Sequence, residues 1–151
     1  VSELTGVPAL TLLNPWAHLI AHGGKNIENR TWSPPRSVNR LLIHAGKGWD
    51  DGWETSVARE RVGDLDDLDG IAASAIVAVV DLVRVCNLSR DADDLRCVCN
   101  EWAMPGQLHW WLGNVRPLPF PVPCRGARRL WLPEPGTVIS VEKQLAVVSG
   151  V

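Results

Sequence analysis

Leu10 to Leu13 is a short apolar run that reads as a first strand. Asn14-Pro15 then reads as a helix start, since Asn caps a helix well and Pro suits its first position. Trp16, Leu19 and Ile20 fall at i, i+3 and i+4, and Gly23-Gly24 supplies a left-handed stop. About two turns of helix are expected over Asn14–Ala21. Ile27 to Trp32 alternates as a strand does. Leu41 to His44 is a second buried-type strand, cut off by Ala45-Gly46-Lys47-Gly48. From Trp49 to Val62 the chain is charged with a sparse apolar stripe (Trp49, Trp53, Val57), the pattern of an exposed amphipathic helix. Gly63 to Gly70 is acidic and reads as a loop. Ile76 to Val85 is β-branched and broken only by Asp81 and Arg84, which predicts a central strand. Asn87 to Asn100 reads as a polar excursion and Leu108 to Leu112 as a further strand. Pro117, Pro119, Pro121 and Pro123 then argue against regular structure until a closing strand at Arg129 to Leu132. Val138 to Val151 suits a short helix or strand.

Five or six short strands with an early and a middle helix imply a small mixed α+β barrel. Strand order does not follow from the pattern. No repeat or linker interrupts the chain, so residues 1–151 read as one domain, with a core over about 9–133 and a tail over 134–151. At 151 residues it can bury a genuine core. With 46% hydrophobic and 21% charged residues, general disorder is excluded. The net charge of -2 excludes a polycation that grips a duplex by charge alone. A local basic surface stays possible, because the cations are arginines apart from Lys25, Lys47 and Lys143. Eight tryptophans provide large flat faces, most of them expected in the core. Cys86, Cys97, Cys99 and Cys124 do not follow a zinc-ribbon pattern, and no metal is expected. There is no charged-then-apolar leader, and the longest apolar run, Ile71 to Val80, is too short to span a bilayer. A cytoplasmic protein with four reduced thiols, needing no disulfide, is the expectation.

Within the Ile27–Trp32 strand, alternate residues share a face, so Glu28, Arg30 and Trp32 are expected to point the same way. A carboxylate and a guanidinium two residues apart can bond each other and still offer donors and acceptors to a ligand. A base presents such an edge, and Trp32 or Trp16 could stack on its face. The alternative is a solvated strand face carrying a weak ion pair. Lys25, just past the helix, could meet a phosphate or become a base if buried; otherwise it is a surface lysine. His44 and His109 each sit in a strand, as hydrogen-bonded structural residues or as acid/base groups. No nucleophile elbow, Walker loop or HExxH occurs.

Asn14-Pro15-Trp16 followed by Gly24-Lys25-Asn26-Ile27-Glu28-Asn29-Arg30-Thr31-Trp32 resembles the ASCH domain, whose GxKxxExR signature follows its first helix. Further support comes from Ile43 to Lys47, Ile76 to Asp81, Trp102 to Trp110, and Pro121 to Gly126 leading into Leu130-Trp131. The resemblance runs from about Ala9 to Pro133. It implies a PUA-like β-barrel of five to six strands, with one short N-terminal helix and one or two peripheral helices. It also implies a cleft beside the first helix for RNA or a modified nucleobase. The signature residues carried over to that cleft are Lys25, Glu28 and Arg30, and the full candidate ligand-binding set adds Asn14, Trp16, Trp32, His44 and His109. Some small relatives are amidohydrolases acting on N4-acetylcytidine, with a catalytic lysine matching Lys25 and a threonine where this chain has Glu28. Others are reported as ribonucleases. Two functions follow: a module binding RNA or a modified nucleoside, or a small hydrolase using Lys25 and Glu28 as acid/base partners. A protein-interaction role through the tryptophans is a third, although no protein partner, cofactor or membrane is implied.

Overall fold

The computed structural model describes residues 2–53, 58–62, 70–86 and 100–148. Among the described residues, six strands and three helices follow in the order β1 (Ala9–Asn14), α1 (Trp16–His22), β2 (Ile27–Arg30), β3 (Arg40–Trp49), α2 (Ala58–Val62), β4 (Ala75–Cys86), β5 (Leu108–Pro123), β6 (Leu130–Trp131) and α3 (Pro135–Val148). They form one mixed sheet in the order β2-β5-β4-β3-β1-β6, in which only β1 and β3 run parallel.

β4 lies within this sheet, and both of its faces are covered over residues 75–80, while Val83 and Arg84 are exposed. Along β3, Leu41, Ile43 and Ala45 enter one core with Ala17 and Ile20 of α1, whereas Leu42 enters a second core with Val141 and Leu145 of α3. That alternation is the period-two rule applied between two helices. The C-terminal segment is therefore a helix that closes the second core. A third cluster of Leu19, Ile27, Trp53, Ala58 and Trp102 lies to one side.

Several local expectations are corrected. β3 does not stop at His44 but runs through Gly46 and Gly48, which pack close to β1. A Cβ on Gly46 would stand 3.3 Å from Thr11 Cγ2, and one on Gly48 3.0 Å from Leu13 Cδ2. The expected helix does not begin at Trp49: Trp49 ends β3 and Trp53 is buried in a turn, while α2 is described over Ala58–Val62 and residues 54–57 lie outside the described residues. The prolines of β5 do not end it. Beyond Trp111 β2 no longer covers the strand, and pairing with β4 skips from Pro117 to Val122. Missing N–H groups are tolerated at such an edge and bulge. Asn14 is not a helix cap; Pro15 occupies that position. The buried Asn14 amide instead donates to the Gly46 and Ala72 carbonyls at 3.3 and 3.1 Å. The acidic stretch 63–69 and most of the Asn87–Asn100 excursion lie outside the described residues. The thiol expectation is also corrected: Cys86 is disulfide-bonded, while Cys124 is free. Equal melting with and without reductant is accordingly no longer expected.

The α+β class holds, but the barrel does not close, because β2 and β6 remain the ends of the ladder. Side chains draw the ends together instead. Arg30 Nη2 of β2 donates to the Thr11 carbonyl of β1 at 3.2 Å, and the Arg129 guanidinium, just before β6, lies 4.3 Å over the Trp32 ring. A seam closed by side chains takes the place of a strand ladder. No helix among the described residues is long and apolar enough to cross a membrane.

Candidate functional site at the seam between β1 and β2

A cleft of about 540 Å³ opens along this seam. Thr11, Leu12 and Leu13 of β1 form one wall, and Glu28, Asn29 and Arg30 of β2 the other. Trp16 and Lys25 come from either end of α1, Asp50 to Trp53 from the turn after β3, and Glu101 to Met104 with Gln107 form a roof.

The floor is an ionic chain. Gly24, at φ 77°, turns the backbone off α1, and the Lys25 amide still bonds the Leu19 carbonyl at 3.1 Å. This turn directs the lysine inward, where it is 3% exposed. Its Nζ donates to the Ile27 carbonyl, lies 3.4 Å from Glu28 Oε1 and 5.7 Å from the Trp16 ring centre. Glu28 Oε2 accepts from Arg30 Nε at 3.1 Å and lies 3.0 Å from Arg30 Nη2. Of the five guanidinium protons, the two on Nη1 therefore stay uncommitted among the described residues. Burial pushes the Lys25 ammonium below its ordinary value; charge and hydrogen bonding from Glu28 oppose that, and Arg30 adds to it.

Lowered lysine basicity has a signed consequence. Folded Lys25 releases its proton at a lower pH than the unfolded side chain, whose ordinary value is 10.5. Between those two values the unfolded chain binds more protons, so stability rises with pH until the unfolded lysine has also titrated. Lys25→Met is expected to remove that alkaline rise. Urea unfolding at stepped pH checks this, and parallel stability profiles for the two proteins would contradict it.

The roof depends on Asn29, whose Nδ2 donates to the Trp102 carbonyl at 2.9 Å while its Oδ1 accepts from the Met104 amide at 2.8 Å. Asn100 Nδ2 donates to Asn26 Oδ1 at 2.7 Å, and His109 Nε2 donates to the Met104 carbonyl at 2.7 Å. On the opposite side, Trp16 Nε1 donates to Asp50 Oδ2 at 2.7 Å.

The sequence-derived set is thus divided. Trp16, Lys25, Glu28 and Arg30 line the cleft; Asn14, Trp32, His44 and His109 do not. Trp32 lies beyond the end of β2, packs edge-on against Trp110 and is covered by Arg129, so strand parity fails at that residue. His109 is buried behind the roof that it helps hold. His44 is buried behind β1: its Nε2 donates to the Cys124 carbonyl at 2.8 Å and its Nδ1 meets Thr11 Oγ1 at 3.1 Å. Burial lowers the His44 pKa, opposed by the bond to Cys124. That arrangement suits a neutral, structural imidazole. Asn29, Asp50, Trp53, Trp102 and Met104 were missed; the Asn26, Asn29 and Asn100 set is the signal for the roof, but its pairing is tertiary. Among the described residues, no three His, Cys, Asp or Glu side chains group to hold a metal.

The family model described as ASCH domain matches residues 10–121. No curated protein matches the chain. Crystal structures of two mutant ZmASCH proteins from Zymomonas mobilis share its fold, each with a TM-score of 0.53. They are 11% and 12% identical, covering 90% of this chain and 96% and 94% of theirs. The matched segment spans β1 to most of β5 and contains every strand-borne group of the cleft, with Lys25, Glu28 and Arg30 at its floor. The chain therefore belongs to the ASCH-domain family.

Proposed function

We propose that the seam cleft binds a nucleobase, either within RNA or as a modified nucleoside. The observation that carries this reading is the Lys25–Glu28–Arg30 ionic chain, buried at Lys25 and Glu28, in a cleft that Trp16, Trp53 and Trp102 also line. A base has flat apolar faces and a polar edge. Trp16, Trp53, Trp102 and Met104 supply apolar surface for the faces. Glu28 supplies an acceptor and Arg30 Nη1 two donors for the edge, already fixed by their mutual bonds. Arg30→Ala is expected to weaken binding by about 1.5–3 kcal/mol, the range for a charge-assisted bond. That corresponds to roughly ten- to a hundredfold in Kd. Titration against single-stranded RNA and a panel of modified nucleosides, with melting curves alongside, is the test. Unchanged affinity with a normal fold would rule out the cleft.

The lowered basicity of Lys25 favours one second reading, a hydrolase acting on an acylated nucleoside or on RNA. Deprotonated Lys25 would take a proton from the attacking water, with Glu28 as its acid/base partner. Glu28→Gln separates the two readings. It keeps size and an acceptor, so a binding module keeps appreciable affinity, whereas a hydrolase relying on Glu28 loses turnover of acylated cytidines or RNA.

A further inference from the structure

The cleft has two unlike sides. Asp50 and Asp51 form an acidic rim, and Glu101, which also lines the cleft, pairs with Arg61 at 3.1 Å. A polyanion is repelled at that rim. The other side is different. The segment joining β5 to β6 passes behind Thr11, a residue of the cleft wall. A Cβ on Gly126 would stand 2.6 Å from Thr11 Oγ1 and 2.7 Å from His44 Cε1, so the segment lies tight against β1. It is pinned at both ends. The Cys124 carbonyl accepts from His44, and Trp131 Nε1 donates to Thr11 Oγ1 at 3.0 Å.

This pinned segment carries Arg125, Arg128 and Arg129, all exposed, and none pairs with a carboxylate among the described residues. Arg129 holds a left-handed φ of 57° and lies over Trp32, two residues from Arg30. Arginines fixed on a rigid strap, without acidic partners, suit phosphate oxygens because each guanidinium can donate twice. We propose that Arg125, Arg128 and Arg129 form a rail for the phosphate backbone of single-stranded RNA, whose base enters the seam cleft. The proposal rests on the nucleobase reading of that cleft. It adds a direction: the strand leaves on the β6 side and avoids the side of Asp50 and Asp51.

The test pairs two ligands with two variants. The double variant Arg125→Ala, Arg128→Ala and the cleft variant Arg30→Ala are titrated with an RNA of roughly twelve nucleotides, within the usual single-strand site sizes. The nucleoside that binds the wild type best is titrated in parallel. The double variant is expected to lose about tenfold or more in RNA affinity at low salt. The slope of log affinity against log salt should become shallower by about 0.7 for each phosphate that is no longer neutralised. Its nucleoside affinity and melting temperature should stay unchanged. Unaltered RNA affinity and salt slope in the double variant would overturn the rail, whatever Arg30→Ala does. RNA loss in the double variant but not in Arg30→Ala would support the rail and reject the cleft. Failure of the wild type to bind RNA at low salt would also overturn the rail, and nucleoside binding would then decide the cleft separately.

Discussion

Glu28→Ala is expected to lower stability by about 3–5 kcal/mol, the range for breaking a buried ion pair from one side. The reason lies in its position between two cations. Lys25 is 3% exposed and would keep a charge in that site with no carboxylate to balance it. Arg30 would be deprived of the Oε2 that its Nε and Nη2 both meet, and would keep only the Thr11 carbonyl. Lys25→Met added to Glu28→Ala should recover part of the loss, because the stranded charge disappears with it. Chemical unfolding of wild type, both single variants and the double variant completes the cycle. Additive effects would mean that Lys25 and Glu28 do not depend on each other.

Trp110→Ala should cost a similar amount, about 3–5 kcal/mol, by opening a cavity in the main core. Trp110 is fully buried, lies opposite Glu28 in the β2–β5 ladder, and packs edge-on against Trp32. Its Nε1 also donates to the Trp32 carbonyl at 3.3 Å. The damage should therefore reach the seam, since Trp32 holds Arg129 from below. Trp110→Phe keeps most of the packing and loses the hydrogen bond, so a smaller loss is expected, with the bond itself about 1 kcal/mol. Thermal and urea unfolding distinguish the variants. Equal destabilisation by Phe and Ala would show that the indole bond, not the ring volume, dominates at this position.

Runs with a clear period were legible from the residues. β4 was marked by its β-branched stretch, α1 by Trp16, Leu19 and Ile20, and β2 by alternation through Arg30. What misled was residue chemistry whose outcome depends on neighbours. Gly46 and Gly48 look like a stop, yet beside β1 their missing Cβ atoms are what lets the strand continue. Four alternate prolines look like a break, yet on the uncovered stretch of β5 they interrupt no second ladder. Asn14 has the composition of a cap, but two carbonyls brought by distant segments claim its amide. Half of the site followed the same pattern. Lys25, Glu28 and Arg30 are close in sequence and their grouping was readable, whereas the roof over them depends on Asn29 meeting Trp102 and Met104 across a long separation.

The open seam makes any occupant of the cleft a non-covalent cross-link. β2 begins the ladder order and β1 lies next to its far end, so a molecule touching both joins strands separated by three others. Such a ligand would act like a missing rung. Its binding would be returned as resistance to opening of the seam, by an amount that grows with the logarithm of ligand concentration above Kd. Amide hydrogen exchange would register this as slowed exchange in β1, β2 and the 100–107 segment together, and β4 would slow as well wherever it exchanges through global unfolding, because the ligand is lost in that opening too.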